Sequence, residues 1–203
     1  MKASIKVFLV IMVLCSQLGV QPVNAAALQD GSSYLHEVRA TGGTAIWFDK
    51  SDKFCKVILG GNEIATFQAV FGVNPNGDKE KQGDYKTPVG IFYVVEKERL
   101  QDHPYLGKKW LGISYPDVGH AEEALRTKLI DDDEYHEIIM ANAAKVIPPQ
   151  DTALGGYIGI HGGRENLTQE GINWTEGCIA MLDKDLEFVF KILPVGTPVI
   201  VTA

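Results

Sequence analysis

Short apolar segments separated by glycine-containing turns follow one another from Thr44 onward. Residues 44–49, 53–59 and 64–72 read TAIWFD, KFCKVIL and IATFQAVFG, and they are rich in β-branched and aromatic side chains. Runs of this kind, bounded by glycine or asparagine, predict β-strands. The last two flank GGNE at 60–63, which predicts a β-hairpin.

A long polar segment follows this hairpin and separates it from the remaining apolar runs. The segment reads VNPNGDKEKQGDYKTPVG at 73–90, and its many turn residues predict a loop. The apolar runs after it predict further strands at 90–97, 110–117, 157–163 and 197–203. The predicted strands therefore extend over most of the chain.

Residues 121–146 interrupt this β pattern. They carry apolar residues at helical spacing without glycine or proline, and Pro148 and Pro149 follow, so we predict one or two inserted helices. A last helix is predicted over 183–193. Asp183 is its expected N-cap, because a carboxylate can accept from the free amides of a first turn. The predicted fold class is mainly β with a few helices, an α+β fold.

The N-terminus has the three parts of a secretory signal peptide. Lys2 and Lys6 precede an apolar run at 7–14, and a polar region then ends in Val-Asn-Ala, which predicts cleavage after Ala25. A membrane anchor is the alternative, but the run is well short of the ~20 residues that span a bilayer. We therefore expect residues 1–25 to direct export across the inner membrane, to the periplasm or cell envelope.

Composition and charge narrow the classes of partner. The 203 residues are 45% hydrophobic and 22% charged, which suits one globular domain at 44–203 after a lead-in at 26–43. Removal of residues 1–25 takes away two lysines and no acid, so the formal charge changes from −7 to −9. An acidic exported domain without a further membrane segment is a poor partner for nucleic acid or anionic lipid. Small molecules, peptides and cell-wall polymer remain.

Two cysteines stay in the chain after export, Cys55 and Cys178. In an oxidising compartment two cysteines can form a disulfide. Cys55, however, lies inside a predicted strand, where a lone cysteine is usually a small core residue. The sequence leaves both alternatives open.

His161 and Cys178 carry the strongest candidate chemistry. His161 ends a predicted strand at Gly162 and Gly163, and Cys178 follows Gly177, seventeen residues after His161. A histidine can take a thiol proton and later protonate a leaving amine, and amides beside a glycine can bind an oxyanion. The alternative is that both side chains only pack. Zinc is disfavoured without closely spaced ligand pairs, and we expect four histidines to be solvated or locally bonded: His36, His103, His120 and His136.

Motifs around this pair resemble the YkuD-type catalytic domain of the L,D-transpeptidases. GDYKTPVGIF at 83–92, IHGG at 160–163, NWTEGCIAM at 173–181 and DKDLEFVF at 183–190 occur in the family's order. The resemblance covers about residues 44–203. It implies an L,D-transpeptidase-like β-sandwich or barrel with a helical insertion, and a cysteine that attacks peptidoglycan stem peptides. It implies no metal and no organic cofactor.

The resemblance also assigns roles to single residues. Cys178 matches the nucleophile and His161 the general base, and the carbonyl of Gly162 would orient the imidazole. The amides of Gly177 and Cys178 would bind the oxyanion. Residues implied to contact the substrate lie in or near the same motifs, and the first of them supplies a hydroxyl: Thr175, Glu176, Trp174, Gly163 and Tyr157.

Two positions depart from the commonest family motif. Glu176 replaces a histidine and Ala180 an arginine, which removes a cation near the thiol and adds an acid. The WTxGCIA motif resembles a subgroup of murein transpeptidase homologues, some of which resemble hydrolases that release protein from peptidoglycan. We expect an L,D-transpeptidase that acts through a Cys178 thioacyl-enzyme. A hydrolase of the same linkage and an inactive wall-binding module are the alternatives. Stem peptides are the expected partners, with a wall-anchored lipoprotein as a second.

Overall fold

Eight β-strands form a closed barrel in the described part of the chain. The computed structural model describes residues 31–203. The strands are β1 (Ala45–Asp49), β2 (Phe54–Leu59), β3 (Asn62–Val70), β4 (Gly90–His103), β5 (Gly107–Ile113), β6 (Gly159–His161), β7 (Ile179–Met181) and β8 (Pro198–Thr202). They pair in the order β1–β2–β3–β7–β6–β5–β4–β8, and β8 closes the ring on β1. The predicted α+β fold with a barrel and the predicted β2–β3 hairpin are confirmed.

The hydrophobic core fills the inside of the barrel. Ile46 and Phe48 alternate along β1, Cys55 and Val57 alternate along β2, and all four are fully buried in one cluster. Alternate residues of a strand point to the same side of a sheet, so these side chains share the inner face. Cys55 is therefore a core residue with a free thiol. The alternative of a disulfide to Cys178 is wrong, because both cysteines are unpaired.

Five helices pack around this barrel in residues 31–203: α1 (Gly31–Ala40), α2 (Val118–Arg126), α3 (Asp132–Ala144), α4 (Glu165–Gln169) and α5 (Asp183–Ile192). Leu35 and Val38 of α1 pack on Ile200 of β8. Leu186 and Val189 of α5 complete the barrel core. α5 lies where the sequence predicts it, whereas α1 lies in the predicted lead-in and α4 lies at 165–169, where no element is predicted.

The predicted helical insertion is confirmed as the pair α2 and α3, which begins three residues before the predicted start. The Asp117 carboxylate caps α2, and Asp131 with Glu134 forms a capping box at the start of α3. Both devices satisfy amides that a helix leaves free at its N-terminus. The two helices pack on each other through one apolar cluster: Ala121, Ala124, Ile130, Ile138 and Leu154.

The start of α5 differs from the prediction. Leu182 is the N-cap residue, and Asp183 is the first residue inside the helix. The reason is that β7 runs into α5 with a single residue between them. Glu165 of α4 accepts a hydrogen bond from the Asp183 amide at 2.6 Å. The Asp183 carboxylate is thereby free to lie against the backbone of Gly162.

The N-terminal predictions lie mostly outside the described residues. The predicted signal peptide at 1–25 is outside, and so are residues 26–30 of the predicted lead-in. Within 31–203, none of the helices combines the length and the apolar character needed to cross a bilayer. The described end of the lead-in is α1, which packs on the barrel.

Candidate active site

His161 and Cys178 come together because β6 and β7 are parallel neighbours in the barrel wall. Ile160 pairs with Ile179 and His161 pairs with Ala180, so Cys178 lies two residues before the partner of His161. Ile160 and Ile179 face the core. Side chains alternate between the two faces of a sheet, so His161 and Cys178 leave its outer face from adjacent strands about 4.8 Å apart.

Aromatic rings enclose the His161 side chain, which is fully buried. The Trp110 ring stacks on the imidazole at 6.2 Å between centroids, and Tyr105 and Trp174 lie at 5.7 and 5.4 Å. Burial lowers the pKa of His161 to about 4, although a hydrogen bond to Gly162 opposes that shift. The imidazole is therefore neutral near pH 7, as a general base must be.

The Gly162 carbonyl fixes which imidazole nitrogen carries the proton. Nδ1 of His161 lies 2.8 Å from this oxygen, and a carbonyl only accepts, so Nδ1 donates and Nε2 is left as the acceptor. Nε2 is buried, and no hydrogen-bond partner reaches it in the part of the chain that the structure describes. Buried polar atoms are rarely left without a partner. This nitrogen is thus ready to accept a proton from a group that turns toward it.

Because Gly162 has no side chain, the carboxylate of Asp183 can approach His161. A Cβ at position 162 would lie 1.8 Å from Oδ1 of Asp183, so a larger residue would displace that carboxyl group. The negative charge of Asp183 raises the pKa of His161 against the effect of burial. The Gly162 amide donates to the Leu106 carbonyl at 3.0 Å, which fixes this turn on the β4–β5 hairpin.

The Cys178 thiol is half-buried and protonated in the resting site. Its Sγ donates to the Tyr157 carbonyl at 3.4 Å. Burial raises the pKa of Cys178 to about 11; the Gly159 amide and the charge of Lys79 oppose the shift, and Glu176 adds to it. The site therefore rests as neutral thiol and neutral imidazole. The thiol has to turn from the Tyr157 carbonyl toward Nε2 of His161 before the proton can move.

Two threonine hydroxyls hold the backbone of Cys178. Thr175 Oγ1 donates to the Cys178 carbonyl at 2.6 Å, and Thr87 Oγ1 donates to the same oxygen at 3.3 Å. Thr87 in turn accepts from the Gly72 amide at 2.9 Å. The Thr175 hydroxyl connects Cys178 to the rest of the motif at 173–181, and the Thr87 hydroxyl connects it to the end of the polar loop at 73–90. The sequence comparison marked Thr87 only as part of a motif, without a role.

Gly177 is required by its backbone conformation and by its neighbour. Its φ is +137°, and a Cβ there would lie 2.9 Å from the Lys86 carbonyl oxygen. Its amide donates to Thr175 Oγ1 over 3.3 Å, a long hydrogen bond. The family resemblance implies that the Gly177 amide binds the oxyanion. This amide makes only a long hydrogen bond in the structure and belongs to the residue next to Cys178.

A groove of about 680 Å³ opens beside Cys178. Of the residues predicted to contact a substrate, Tyr157 and Glu176 line this groove, whereas Gly163 does not. Thr175 and Trp174 are buried behind the nucleophile. The prediction that the side chains of Thr175 and Trp174 contact a substrate therefore has to be corrected. Their side chains turn into the protein, where one holds the Cys178 carbonyl and the other packs on the histidine.

Cations lie near the site although Ala180 replaces the arginine of the commonest motif. Ala180 is fully buried opposite Val70, in the cluster that contains Trp174. The Arg164 guanidinium lies 5.3 Å from the centroids of both the Tyr105 and the Trp174 rings, so a positive charge reaches this aromatic cluster from α4. Lys79 lines the groove together with Cys178. Glu176, the added acid, is exposed.

Ion pairs organise the predicted polar loop and connect it to the insertion. Asp84 accepts from the Lys79 ammonium at 2.8 Å and from three loop amides. Asp78 and Asp117 lie 3.2 and 2.6 Å from the two nitrogens of His120 on α2. Asp117 is three residues from His120, so the histidine is locally bonded, one of the two predicted alternatives, whereas Asp78 is forty-two residues away and could not be found from the sequence.

The family of the chain follows from its sequence match over this barrel and site. Residues 43–201 match the profile of the YkuD family, which is described as the L,D-transpeptidase catalytic domain. Because the match covers most of the chain, the chain belongs to the YkuD family of L,D-transpeptidase catalytic domains. A search of curated proteins found no match.

Solved structures with this fold come from several bacteria. Bd1075 from Bdellovibrio bacteriovorus superposes with a TM-score of 0.52 and 18% identity, over 82% of this chain and 50% of that one. Pgp2 from Campylobacter jejuni, described as a helical cell shape determining protein, has a TM-score of 0.52 and 21% identity, over 85% and 55%. The chain thus spans about half the length of these structures, and at such identities the likeness shows the fold alone.

Proposed function

We propose that this chain is an exported peptidoglycan-modifying acyltransferase, an L,D-transpeptidase, with Cys178 as nucleophile and His161 as general base. One observation carries the proposal. The unpartnered Nε2 of His161 lies on the same outer face of the barrel wall as the Cys178 thiol, next to a groove that can admit a peptide. Export and a location in the periplasm or envelope rest on the N-terminal sequence and belong to the proposal.

The first half of the reaction forms a thioester. Sγ of Cys178 attacks the carbonyl carbon of a stem peptide, likewise proposed to be that of diaminopimelate, while the thiol proton passes to Nε2 of His161. The carbonyl electron pair moves onto oxygen, where the amides of Gly177 and Cys178 are the nearest proposed donors. The C–N bond then breaks, and the leaving amine takes the proton from Nε2.

The second half transfers the acyl group to an amine. An acceptor amine attacks the thioester, gives its proton to Nε2, and expels the Cys178 thiolate, which takes that proton back. A second stem peptide would give a cross-link, and a lysine of a wall-anchored lipoprotein would give an attached protein. Water in place of the amine would give hydrolysis, so the product identifies the acceptor.

Defined muropeptides followed by mass spectrometry test this function. We expect the wild-type protein to form a thioacyl adduct and then cross-linked dimers, and Cys178→Ala to form neither. Cys55→Ala is the matched control, because Cys55 is the other cysteine of the described residues and lies in the barrel core. Turnover by Cys178→Ala would refute the nucleophile. Adduct formation followed only by free acid would replace the transferase with a hydrolase, and retained wall binding without any adduct would favour an inactive module.

A further inference from the structure

Two exposed tyrosines line the groove, and both have a backbone conformation that costs energy. Tyr85 has φ = +58° and Tyr157 has φ = +55°. In this left-handed region an aromatic residue is an outlier, since its Cβ crowds the following carbonyl. The rings are 46% and 64% exposed, so burial of the side chains does not compensate the cost. Strain of this kind that persists beside a groove points to a function for the residues that bear it.

The backbone of both tyrosines is held in place next to the nucleophile. The Tyr157 carbonyl accepts the Cys178 thiol at 3.4 Å. Tyr85 lies two residues before Thr87, whose hydroxyl donates to the Cys178 carbonyl, and the Tyr85 carbonyl itself accepts from the Asn74 amide at 3.2 Å. The contacts around Cys178 therefore also hold the backbone of the two tyrosines in the walls of the groove beside it.

The charges of the groove indicate what lies between these rings. Glu96, Glu98 and Glu176 line it. Lys79 also lines it, but its side chain is only 4% exposed and is neutralised by Asp84 at 2.8 Å. The groove thus offers aromatic walls and a negative charge. Methylene groups complement the aromatic walls, and an ammonium group at the far end of a side chain complements the negative charge. Diaminopimelate has both, and its second carboxylate has to point away from these acids.

We infer that Tyr85 and Tyr157 are specificity-determining residues that grip the methylene side chain of the acyl-donor residue, the amino acid whose carbonyl Cys178 attacks. The inference rests on the proposed function, since it is that function which places a donor carbonyl at the thiol. Both tyrosines line the groove with a left-handed backbone. Its strain is therefore retained for substrate binding and not for folding.

Glycine substitutions separate binding from folding. Tyr85→Gly and Tyr157→Gly remove the ring and at the same time the steric cost of a positive φ, so each should raise Tm by about 2–4 °C. Each should also raise KM for thioacyl formation about tenfold on a stem tetrapeptide with diaminopimelate at the donor position. On the same peptide with alanine at that position, KM should be unchanged. Tyr85→Phe and Tyr157→Phe, which keep the rings, should behave as wild type.

Lys128→Gly is the matched control, because Lys128 also has a positive φ, of +62°, but lies in the turn after α2 and outside the groove. It should raise Tm and leave KM unchanged on both peptides. Two outcomes overturn the inference: an unchanged KM for diaminopimelate in both tyrosine-to-glycine variants, or an equal increase on both peptides. If the wild-type protein forms no thioacyl adduct on either peptide, the proposed function fails and the inference falls with it.

Discussion

Two buried histidines in this chain are in opposite charge states. His161 in the barrel wall is fully buried, and burial lowers its pKa to about 4. His120 on α2 has a side chain only 7% exposed; burial would lower its pKa too, but hydrogen bonds to Asp117 and Asp78 raise it to about 10. Near pH 7 the first is a neutral imidazole and the second a cation.

The difference between them comes from what each ring nitrogen touches. Both nitrogens of His120 face carboxylate oxygens, which only accept, so both must donate and the ring must be charged. One nitrogen of His161 faces a carbonyl, and the other has no partner within residues 31–203. The charged ring fastens an inserted helix to the polar loop. The neutral ring keeps an acceptor free, which is the property a general base needs.

Substitution of each histidine should produce the largest contrast. His161→Gln should lower turnover about 10²–10⁴-fold, because it removes the proposed base. His120→Gln should leave turnover per folded molecule near wild type. Thioacyl formation by mass spectrometry, normalised to the folded fraction from circular dichroism, measures both. Equal activity losses in the two variants would contradict the separation of roles.

The free energy of unfolding should fall more in His120→Gln than in His161→Gln, the reverse of the order expected for turnover. His120→Gln leaves the partly exposed carboxylates of Asp78 and Asp117 without their cation, which should cost about 1–3 kcal/mol in the free energy of unfolding. Urea denaturation measures this cost. His120→Gln combined with Asp78→Asn and Asp117→Asn should recover part of the loss, since the unpaired charges are then gone. Failure of that triple variant to recover any stability would mean that the ions do not cause the loss.

The pH dependence of stability should separate the two histidines on either side of neutrality. The folded pKa of His161 is below its ordinary value of 6.5, so its contribution is present above pH 6.5 and falls by about 3 kcal/mol as pH drops toward 4. The folded pKa of His120 is above 6.5, so its contribution is present below pH 6.5 and is lost as pH rises toward 10.

Urea denaturation at pH values between 4 and 10 measures the contribution of each histidine to stability. Each variant is compared with the wild type, because carboxylates also titrate at the acidic end. We expect His161→Gln to flatten the acidic decline and His120→Gln to flatten the alkaline one. The reverse pattern would show that the charge states have been assigned to the wrong rings.

Removal of the one carboxylate near His161 should have the smallest effect. Asp183 raises the pKa of His161, so Asp183→Asn should weaken the base and slow thioacyl formation about three- to tenfold. An NMR titration of His161 should show its pKa lowered further. Asp185→Asn on the same helix is the control and should change neither quantity. An unchanged histidine titration in Asp183→Asn would exclude this electrostatic contribution.

Much of this fold and the candidate pair of His161 and Cys178 are readable from short-range patterns. Seven of the eight described strands, the insertion and α5 follow from periodicity and from glycine and proline positions, whereas the three-residue strand β7 is not predicted. The spacing of His161 and Cys178 suggests a pair, but the parallel register that puts both on the outer face of the wall depends on long-range pairing. α1 and α4 were missed because α1 is on average only weakly apolar and α4 is a single short turn of polar residues.

The electrostatics of the site could not be predicted, because its charges come from distant segments. Loss of the motif arginine at Ala180 suggested a site without a nearby cation. In the fold, Arg164 reaches the aromatic cluster from α4, and Lys79 reaches the groove from the polar loop. One of the two partners of His120 is likewise distant, since Asp78 is forty-two residues away in the sequence, whereas Asp117 is only three. Only the closed barrel brings these charges together.

The barrel wall also divides the two described cysteines between an inner and an outer surface. Cys178 faces the groove, whereas Cys55 on β2 is sealed inside the barrel with no exposed surface. A small thiol reagent should therefore label one position on the native protein without any mutagenesis. Labelling of Cys55 requires the barrel to open, so its rate reports how often that happens. Labelling of Cys178 therefore counts accessible thiols in the groove, and the slower labelling of Cys55 measures opening of the barrel in the same sample.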